Sequence, residues 1–268
     1  MATRTTTDVV TELRGALAGE VLVPGDEGYD EARTVWNGMV DRRPVVVARC
    51  TGTPDVAAAV RIARAHDLPL SVKGGGHNVA GRAVVDGGVV IDLSPMRGVR
   101  VDPVARQAWV QAGATWAEFD AAAQEHGLAT TDGVHSGTGV AGLTLGGGNG
   151  WLARRHGLAC DNLVEADVVT ADGEVVHASA DSHPDLFWAL RGGGGNVGVV
   201  TSFAFELHPV GPEVMVAQAY HRIEDAAAVL RGYREFLDAA PDEVSPYALV
   251  IHLPPVEPFP AELHGAPA

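Results

Sequence analysis

The sequence is poor in cysteine and in basic residues, and each shortage excludes a class of protein. Its two cysteines, Cys50 and Cys160, are too few for a disulfide framework and lie in no metal-binding or redox spacing, although a single bridge between them stays open. Lysine and arginine number 19 against 34 acidic residues, a formal net charge of -15. Because nucleic acids and anionic membranes bind clustered basic residues, we expect neither as a partner. Because the cysteines lie in no metal-binding spacing, we also predict no metal site.

Long apolar runs are absent too. No stretch has the length of a membrane-spanning helix, and residues 1–8 lack the apolar core of a signal peptide. Together with the two thiols, which are typical of a reducing compartment, these absences predict a soluble cytoplasmic protein. Hydrophobic residues make up 46% and charged residues 20% of the chain, so we expect a packed core rather than disorder.

Glycine, in contrast, is abundant, with 33 residues, and three runs stand out at 74–76, 146–148 and 192–195. Consecutive glycines mark places where the backbone approaches something closely. The pattern at Leu70–Lys73 predicts a strand that enters the first run. The pattern at Pro184–Leu190 predicts a short helix that leads into the third.

Strands and helices are intermixed without the regular alternation of a doubly wound sheet, which favours an α+β fold. We assign residues 40–210 to one α+β domain. Residues 211–268 would form only part of a second domain, because two strands at 214–221 and 245–253 and a helix at 223–237 are too few for a stable layer. We therefore expect the chain to end inside its second domain.

The first glycine run has two equally good interpretations. Glycines after a strand leave backbone N–H groups unshielded by side chains, and such a loop can bind a phosphate, to which Lys73 would add positive charge. His77 follows directly and would then lie beside the phosphate-bearing ligand. The other interpretation is a flexible surface loop with an incidental histidine.

The second run contains a weak dinucleotide pattern. Gly137, Gly139 and Gly142 match G-x-G-x-x-G, which requires a buried strand before it and a helix after it. Residues 127–136 do not resemble a strand, and the glycines at 146–150 would break a helix. We therefore reject the nicotinamide-dinucleotide interpretation and treat residues 137–150 as exposed backbone lying against a flat ligand. Three glycine segments in one domain predict a large ligand with an anionic part and a planar part.

The sequence around the three runs resembles the flavoproteins similar to vanillyl-alcohol oxidase, specifically the berberine-bridge-enzyme-like branch. The resemblance is carried by the segments at 73–81, 138–152 and 185–201, and it extends from about Pro24 to Gly265. It implies an FAD-binding domain of the PCMH type, built of two α+β subdomains. It also implies an α+β substrate domain after it, of which this chain would hold an incomplete part.

The same resemblance implies FAD as the cofactor and a set of residues that bind it. The first loop would wrap the FAD pyrophosphate, and His77 would bond covalently to the 8α-methyl of the isoalloxazine ring. A neutral imidazole is a competent nucleophile near neutral pH. The implied cofactor-binding residues are Lys73, Gly74, Gly75, Gly76, His77, Asn78, Gly81, Thr138, Gly139, Gly142, Gly147, Gly148, Gly150 and Val200.

Two features depart from the family pattern. Many members of the branch carry a second covalent link from a cysteine shortly before the middle glycine run, and alignment places His135 there. We therefore expect one bond, through His77. Whether His135 faces the flavin stays open, and a solvated loop histidine is the favoured interpretation. The family motif that deprotonates substrate would lie in the missing part of the substrate domain, so we assign no catalytic base. Tyr220, His221 and His252 are interpreted as structural or exposed.

Two functions are compatible with this pattern. The first is an FAD-dependent oxidoreductase that passes a hydride from a small organic substrate (an alcohol, sugar or amine) to the flavin, which oxygen or another electron acceptor reoxidises. The alternative is a catalytically silent flavin-binding fragment, or a subunit completed by another chain. A nucleotide-binding module unrelated to flavin is disfavoured, because the sequence has no P-loop or dinucleotide-fold context.

Overall fold

The computed structural model describes residues 6–256, 259, 261, 264, 265 and 267, which divide into two compact units at Pro212. The helices of the first unit are α1 (Thr6–Ala16), α2 (Tyr29–Ala32), α3 (Thr53–Ala65), α4 (Trp116–Gln124), α5 (Val140–Leu145), α6 (Ala153–His156) and α7 (Pro184–Leu190). Its strands are β1 (Val21–Leu22), β2 (Val46–Arg49), β3 (Leu70–Lys73), β4 (Val89–Asp92), β5 (Val99–Asp102), β6 (Gln107–Gln111), β7 (Leu128–Ala129), β8 (Leu163–Val169), β9 (Val175–Ser179), β10 (Val199–Glu206) and β11 (His208–Pro209).

The first sheet has the strand order β1-β2-β4-β3. Strands β2 and β3 each pair in parallel with β4, and β1 pairs antiparallel with β2. Every residue of β4 is buried, as expected for a parallel strand covered on both faces. Helix α3 buries Val56, Ala59, Val60 and Ala63, the helically spaced apolar face of its sequence, in the core that β4 shares.

The second sheet is antiparallel throughout and has the order β5-β6-β10-β8-β9. Helix α4 opens with a capping box between Thr115 and Glu118, whose carboxylate accepts from the Thr115 backbone N–H at 2.9 Å. Its buried Trp116 and Phe119 pack against Phe205 of β10 in edge-on and tilted geometries. Each sheet with its helix is an α+β subdomain, so the predicted fold class is confirmed.

Two predictions about local structure are wrong. Residues 137–150 are not one exposed segment, because α5 forms between the glycines. In the second unit, the predicted strands at 214–221 and 245–253 do not form, and the described residues hold instead one helix, α8 (Ala226–Ala239), after a 3-10 turn. Val214, Met215 and Val216 are exposed, and a strand needs a paired neighbour; within the described residues of this unit the pairing is limited to an isolated bridge between His252 and Pro267.

No helix among the described residues is long and apolar enough to cross a membrane.

Candidate cofactor site

The first two glycine segments are in direct backbone contact. A Cβ added to Gly75 would lie 2.4 Å from the Gly139 nitrogen, and a Cβ added to Gly139 would lie 2.4 Å from the Gly75 nitrogen. A Cβ on Gly74 would lie 3.1 Å from the Ala112 carbonyl oxygen at the end of β6. The two loops therefore approach more closely than side chains would allow, which explains why both carry glycine.

Helix α5 begins at this contact. Gly139 is its N-cap, and the Val140 N–H donates to the Ala114 carbonyl at 3.0 Å. The second glycine run ends the helix, because Gly147 and Gly148 adopt φ angles of 103° and 81° that favour glycine. This left-handed turn reverses the chain just beyond the helix.

The third glycine segment joins the same helix. The Gly194 N–H donates to the Leu145 carbonyl at the end of α5 at 2.8 Å. Val200 lies in β10, next to Thr201, whose carbonyl accepts from the Ala112 N–H at 3.0 Å. All three glycine segments and Val200 thus lie around α5 and the end of β6.

The backbone of residues 74–80 is rich in unpaired donors. Within the part of the chain that the structure describes, none of these seven amides donates to a protein acceptor. The segment is held instead through its carbonyls: Gly76 accepts from the Trp36 N–H at 3.0 Å, and Val79 accepts from Asn37 Nδ2 at 2.7 Å. A fixed loop with a row of free N–H groups is suited to bind an anion such as a pyrophosphate.

Lys73 is bound away from those amides. Its Nζ donates to the Ala32 carbonyl at the end of α2 at 2.6 Å. Its ammonium group therefore helps to attach α2 to the start of the loop. The other predicted residues of this loop form its closing turn, in which Gly81 has a φ of 67° and donates to the Asn78 carbonyl at 2.9 Å.

His77 belongs to this loop, and its imidazole contacts two other rings. Its imidazole stacks on Trp36, with ring centroids 5.6 Å apart and planes at 22°, and it contacts His135 at 5.4 Å and 46°. His77 is half-buried, and burial, followed by the nearby His135, lowers the pKa of its imidazole below the usual 6.5. The ring is consequently neutral at neutral pH and available as a nucleophile.

The neighbours of His77 were not identified from the sequence. Trp36 is 63% exposed and carries no local motif. His135 is exposed, as expected of a loop histidine, but its ring also faces His77. Its alignment with the cysteine of related flavoproteins was the one sequence signal for this position.

Three remaining predicted residues differ in their surroundings. Thr138 is held by backbone bonds, its N–H donating to the His135 carbonyl at 3.0 Å. A Cβ on Gly150 would lie 2.1 Å from the Asp132 carbonyl oxygen, so this glycine is required by protein packing. Gly142, in contrast, faces open space, with no described atom within 4 Å of an added Cβ.

Asp120 of α4 and Asp132 form a carboxyl pair that the sequence did not reveal, because they are twelve positions apart. Burial, then the charge of Asp132 and a hydrogen bond between the two, raise the pKa of Asp120 to about 7. Burial also raises the pKa of Asp132. One proton shared between the carboxyl groups avoids placing two like charges side by side.

Replacing Asp120 by asparagine tests this proton. The pKa of Asp120 in the folded protein lies above the usual 3.8. The protonated carboxyl group therefore stabilises the wild-type fold fully below pH 3.8, and this contribution is lost as the pH rises through about 7. At pH values above neutral, the free energy of unfolding of Asp120→Asn is expected to be about 1–2 kcal/mol higher than that of wild type. At acidic pH this difference is expected to vanish. Urea unfolding across this pH range measures it. An equal difference at every pH would contradict the shared proton.

Comparison with known proteins decides what the site binds. The family described as FAD binding domain matches residues 44–179, half of the chain, including the first two glycine segments. This chain belongs to the FAD-binding domain family. Its cofactor is therefore FAD, and its architecture is the PCMH-type domain expected from the sequence.

Individual relatives agree with this assignment. The chain is similar to (R)-6-hydroxynicotine oxidase of Paenarthrobacter nicotinovorans, with 37% identity over 238 residues, 88% of this chain and 52% of the relative. The crystal structure of 6-hydroxy-D-nicotine oxidase from Arthrobacter nicotinovorans superposes with a TM-score of 0.79 at 38% identity, covering 83% of this chain and 50% of that one. A berberine-bridge-enzyme-like protein of Physcomitrella patens superposes with a TM-score of 0.72 at 30% identity, covering 76% and 44%. This chain spans about half the length of the curated relatives it matches.

The residues present fit FAD. The free amides of residues 74–80 suit the pyrophosphate, and the open space beside Gly142 leaves room for a planar ring system along α5. Neutral His77 lies in the middle of the same loop. A loop with free amides and an open surface along α5 thus occur together, as a dinucleotide with a planar ring system requires.

Proposed function

We propose that this chain is the flavin-binding part of an FAD-linked oxidoreductase and that its flavin is covalently attached to His77. The observation that carries the proposal is the meeting of the three glycine segments around α5, with seven free amides next to a neutral histidine. In this proposal residues 40–210 are the FAD-binding domain and residues 211–268 belong to a substrate domain.

Each predicted residue has a physical role in the proposal. The amides of the first loop bind the pyrophosphate, and the left-handed turn at Gly147 and Gly148 with the neighbouring backbone lines the isoalloxazine ring. The remaining cofactor-lining residues contribute through their backbones or fix the loop: Lys73, Asn78, Gly81, Thr138, Gly139, Gly142, Gly150 and Val200.

The attachment of FAD balances as an oxidation. A bond forms between a His77 ring nitrogen and the 8α carbon of the flavin, while one C–H bond of that methyl and one imidazole N–H bond break. The two electrons and two protons released would be taken up by dioxygen, giving hydrogen peroxide. The role of the protein is to hold a neutral imidazole against the cofactor.

The oxidoreductase reaction follows from the family. Several relatives are named FAD-linked oxidoreductases, and one is named for a small organic substrate, 6-hydroxynicotine. We propose that the substrate is likewise a small alcohol, sugar or amine, whose hydride passes to the flavin, and that dioxygen or another acceptor removes the electrons. The alternative function is flavin binding without turnover, which would suit a chain whose substrate half is supplied separately.

An anaerobic reduction experiment separates the two. The protein is loaded with FAD, freed of excess cofactor and mixed without oxygen with panels of alcohols, sugars and amines. Loss of the visible flavin absorbance with one substrate class, and its return when air is admitted, would support the oxidoreductase. A yellow protein that dithionite bleaches but no panel compound does would support the silent alternative, and a colourless protein would contradict both.

A further inference from the structure

His135 is held in a defined orientation beside His77. The Gly137 N–H donates to His135 Nδ1 at 3.1 Å. Because a backbone N–H can only donate, Nδ1 carries no proton in this arrangement, and the neutral ring carries its proton on Nε2. A Cβ on Gly137 would lie 3.0 Å from His135 Cε1, so a larger residue there would crowd the ring in this position.

We propose that His135 is a positioning residue that orients the His77 imidazole for covalent attachment of the flavin. The inference rests on the proposed function, in which His77 is the nucleophile. The rings of Trp36 and His135 contact the His77 ring. Of these two, the His135 ring is fixed by the hydrogen bond that it accepts from the Gly137 backbone N–H. A ring so fixed restricts the rotation of His77 about its side-chain torsion angles.

Orientation matters because attachment requires one ring nitrogen to face the 8α carbon closely. A misplacement of about 1 Å can slow such a step by about 10²-fold. His77 is exposed to solvent on part of its surface, so the surrounding protein does not fix its ring by burial alone. The neighbouring rings of Trp36 and His135 supply the missing restraint.

His135 also affects the charge state of His77. Burial is the larger cause of the lowered pKa of His77, and the charge that His135 carries when it is protonated is the second. Removal of the His135 ring is expected to let that pKa rise toward its usual value. Attachment would then begin to fail at a higher pH when the solution is acidified, because more of His77 would be protonated.

The test measures attachment separately from binding. Apoprotein is mixed with FAD in air, samples are denatured with acid at intervals, and the flavin that stays with the protein is quantified over a range of pH. His135→Ala is expected to slow attachment at least about ten-fold and to shift the acid limb of its pH profile upward. In a His77→Ala background, the same change is expected to alter the dissociation constant of FAD by less than about two-fold.

Two further variants serve as controls. His135→Asn keeps an oxygen that can accept from the Gly137 N–H but lacks the ring, so it should preserve the loop and still slow attachment. His126→Ala removes an exposed histidine just beyond α4 and should attach flavin like wild type. Attachment by His135→Asn at the wild-type rate, with an unmoved acid limb, would overturn the positioning role alone. Absence of covalent flavin in the wild-type protein would overturn the proposed function as well.

Discussion

Replacing His77 by alanine is expected to leave a protein that binds FAD but releases all of it on acid precipitation. The wild-type protein is expected to retain its yellow colour in the precipitate, because the imidazole is neutral at neutral pH and lies within the amide-rich loop. The pyrophosphate-binding amides do not depend on the side chain of residue 77. Binding should therefore survive the substitution while the covalent bond is lost.

The visible absorbance of the redissolved precipitate measures this effect, and gel filtration before precipitation measures binding. A matched control is His126→Ala, which removes another exposed imidazole and should retain covalent flavin. Equal retention of flavin by His77→Ala and wild type would show that the cofactor is attached elsewhere or not covalently. Loss of binding as well as attachment would assign His77 a larger share of the affinity than the free amides.

Gly142→Ala is expected to stabilise the apoprotein and to weaken FAD binding. Gly142 lies within α5, where alanine is favoured over glycine by about 0.5–1 kcal/mol, and an added Cβ meets no described atom within 4 Å. In the proposed complex that open space holds part of the cofactor. The added methyl group should raise the dissociation constant of FAD at least about ten-fold, which corresponds to about 1.4 kcal/mol.

The control is Gly15→Ala, an exposed glycine in α1 with equally open surroundings. It should give a similar gain in thermal stability and leave FAD binding unchanged. Gly75→Ala should behave in the opposite way, since its Cβ would lie 2.4 Å from the Gly139 nitrogen, and it should destabilise the apoprotein by about 1–3 kcal/mol. Unchanged FAD affinity in Gly142→Ala would place the cofactor away from α5.

The glycine segments were the part of the site that sequence could predict. A residue that must leave room for another backbone has one chemical solution, so close approaches leave a clear mark in the sequence. For elements with strong local signals, the predicted bounds also agree with those in the structure. Strand β3 at Leu70–Lys73 and helix α7 at Pro184–Leu190 have the predicted limits.

What the sequence could not predict depends on contacts between distant segments. Helix α5 has six residues and is followed by three glycines, too little for a periodic pattern, and it forms because the surrounding backbone fixes its first turn. The neighbours of His77 come from separate loops, and the carboxyl pair joins α4 to a later segment. In the second unit, strands were predicted at 214–221 and 245–253, but the described residues there form no strand ladder and hold only an isolated bridge between His252 and Pro267.

Hydrogen exchange with and without FAD tests the convergence of the three glycine segments most directly. The His77→Ala protein is suited to it, because its FAD can be added and removed. The account predicts slower exchange on FAD binding in residues 74–80, in residues 139–150 and around residues 192–198, with no change in the turn between β5 and β6. Protection confined to one of these segments, or located outside all three, would contradict a single FAD site built by them.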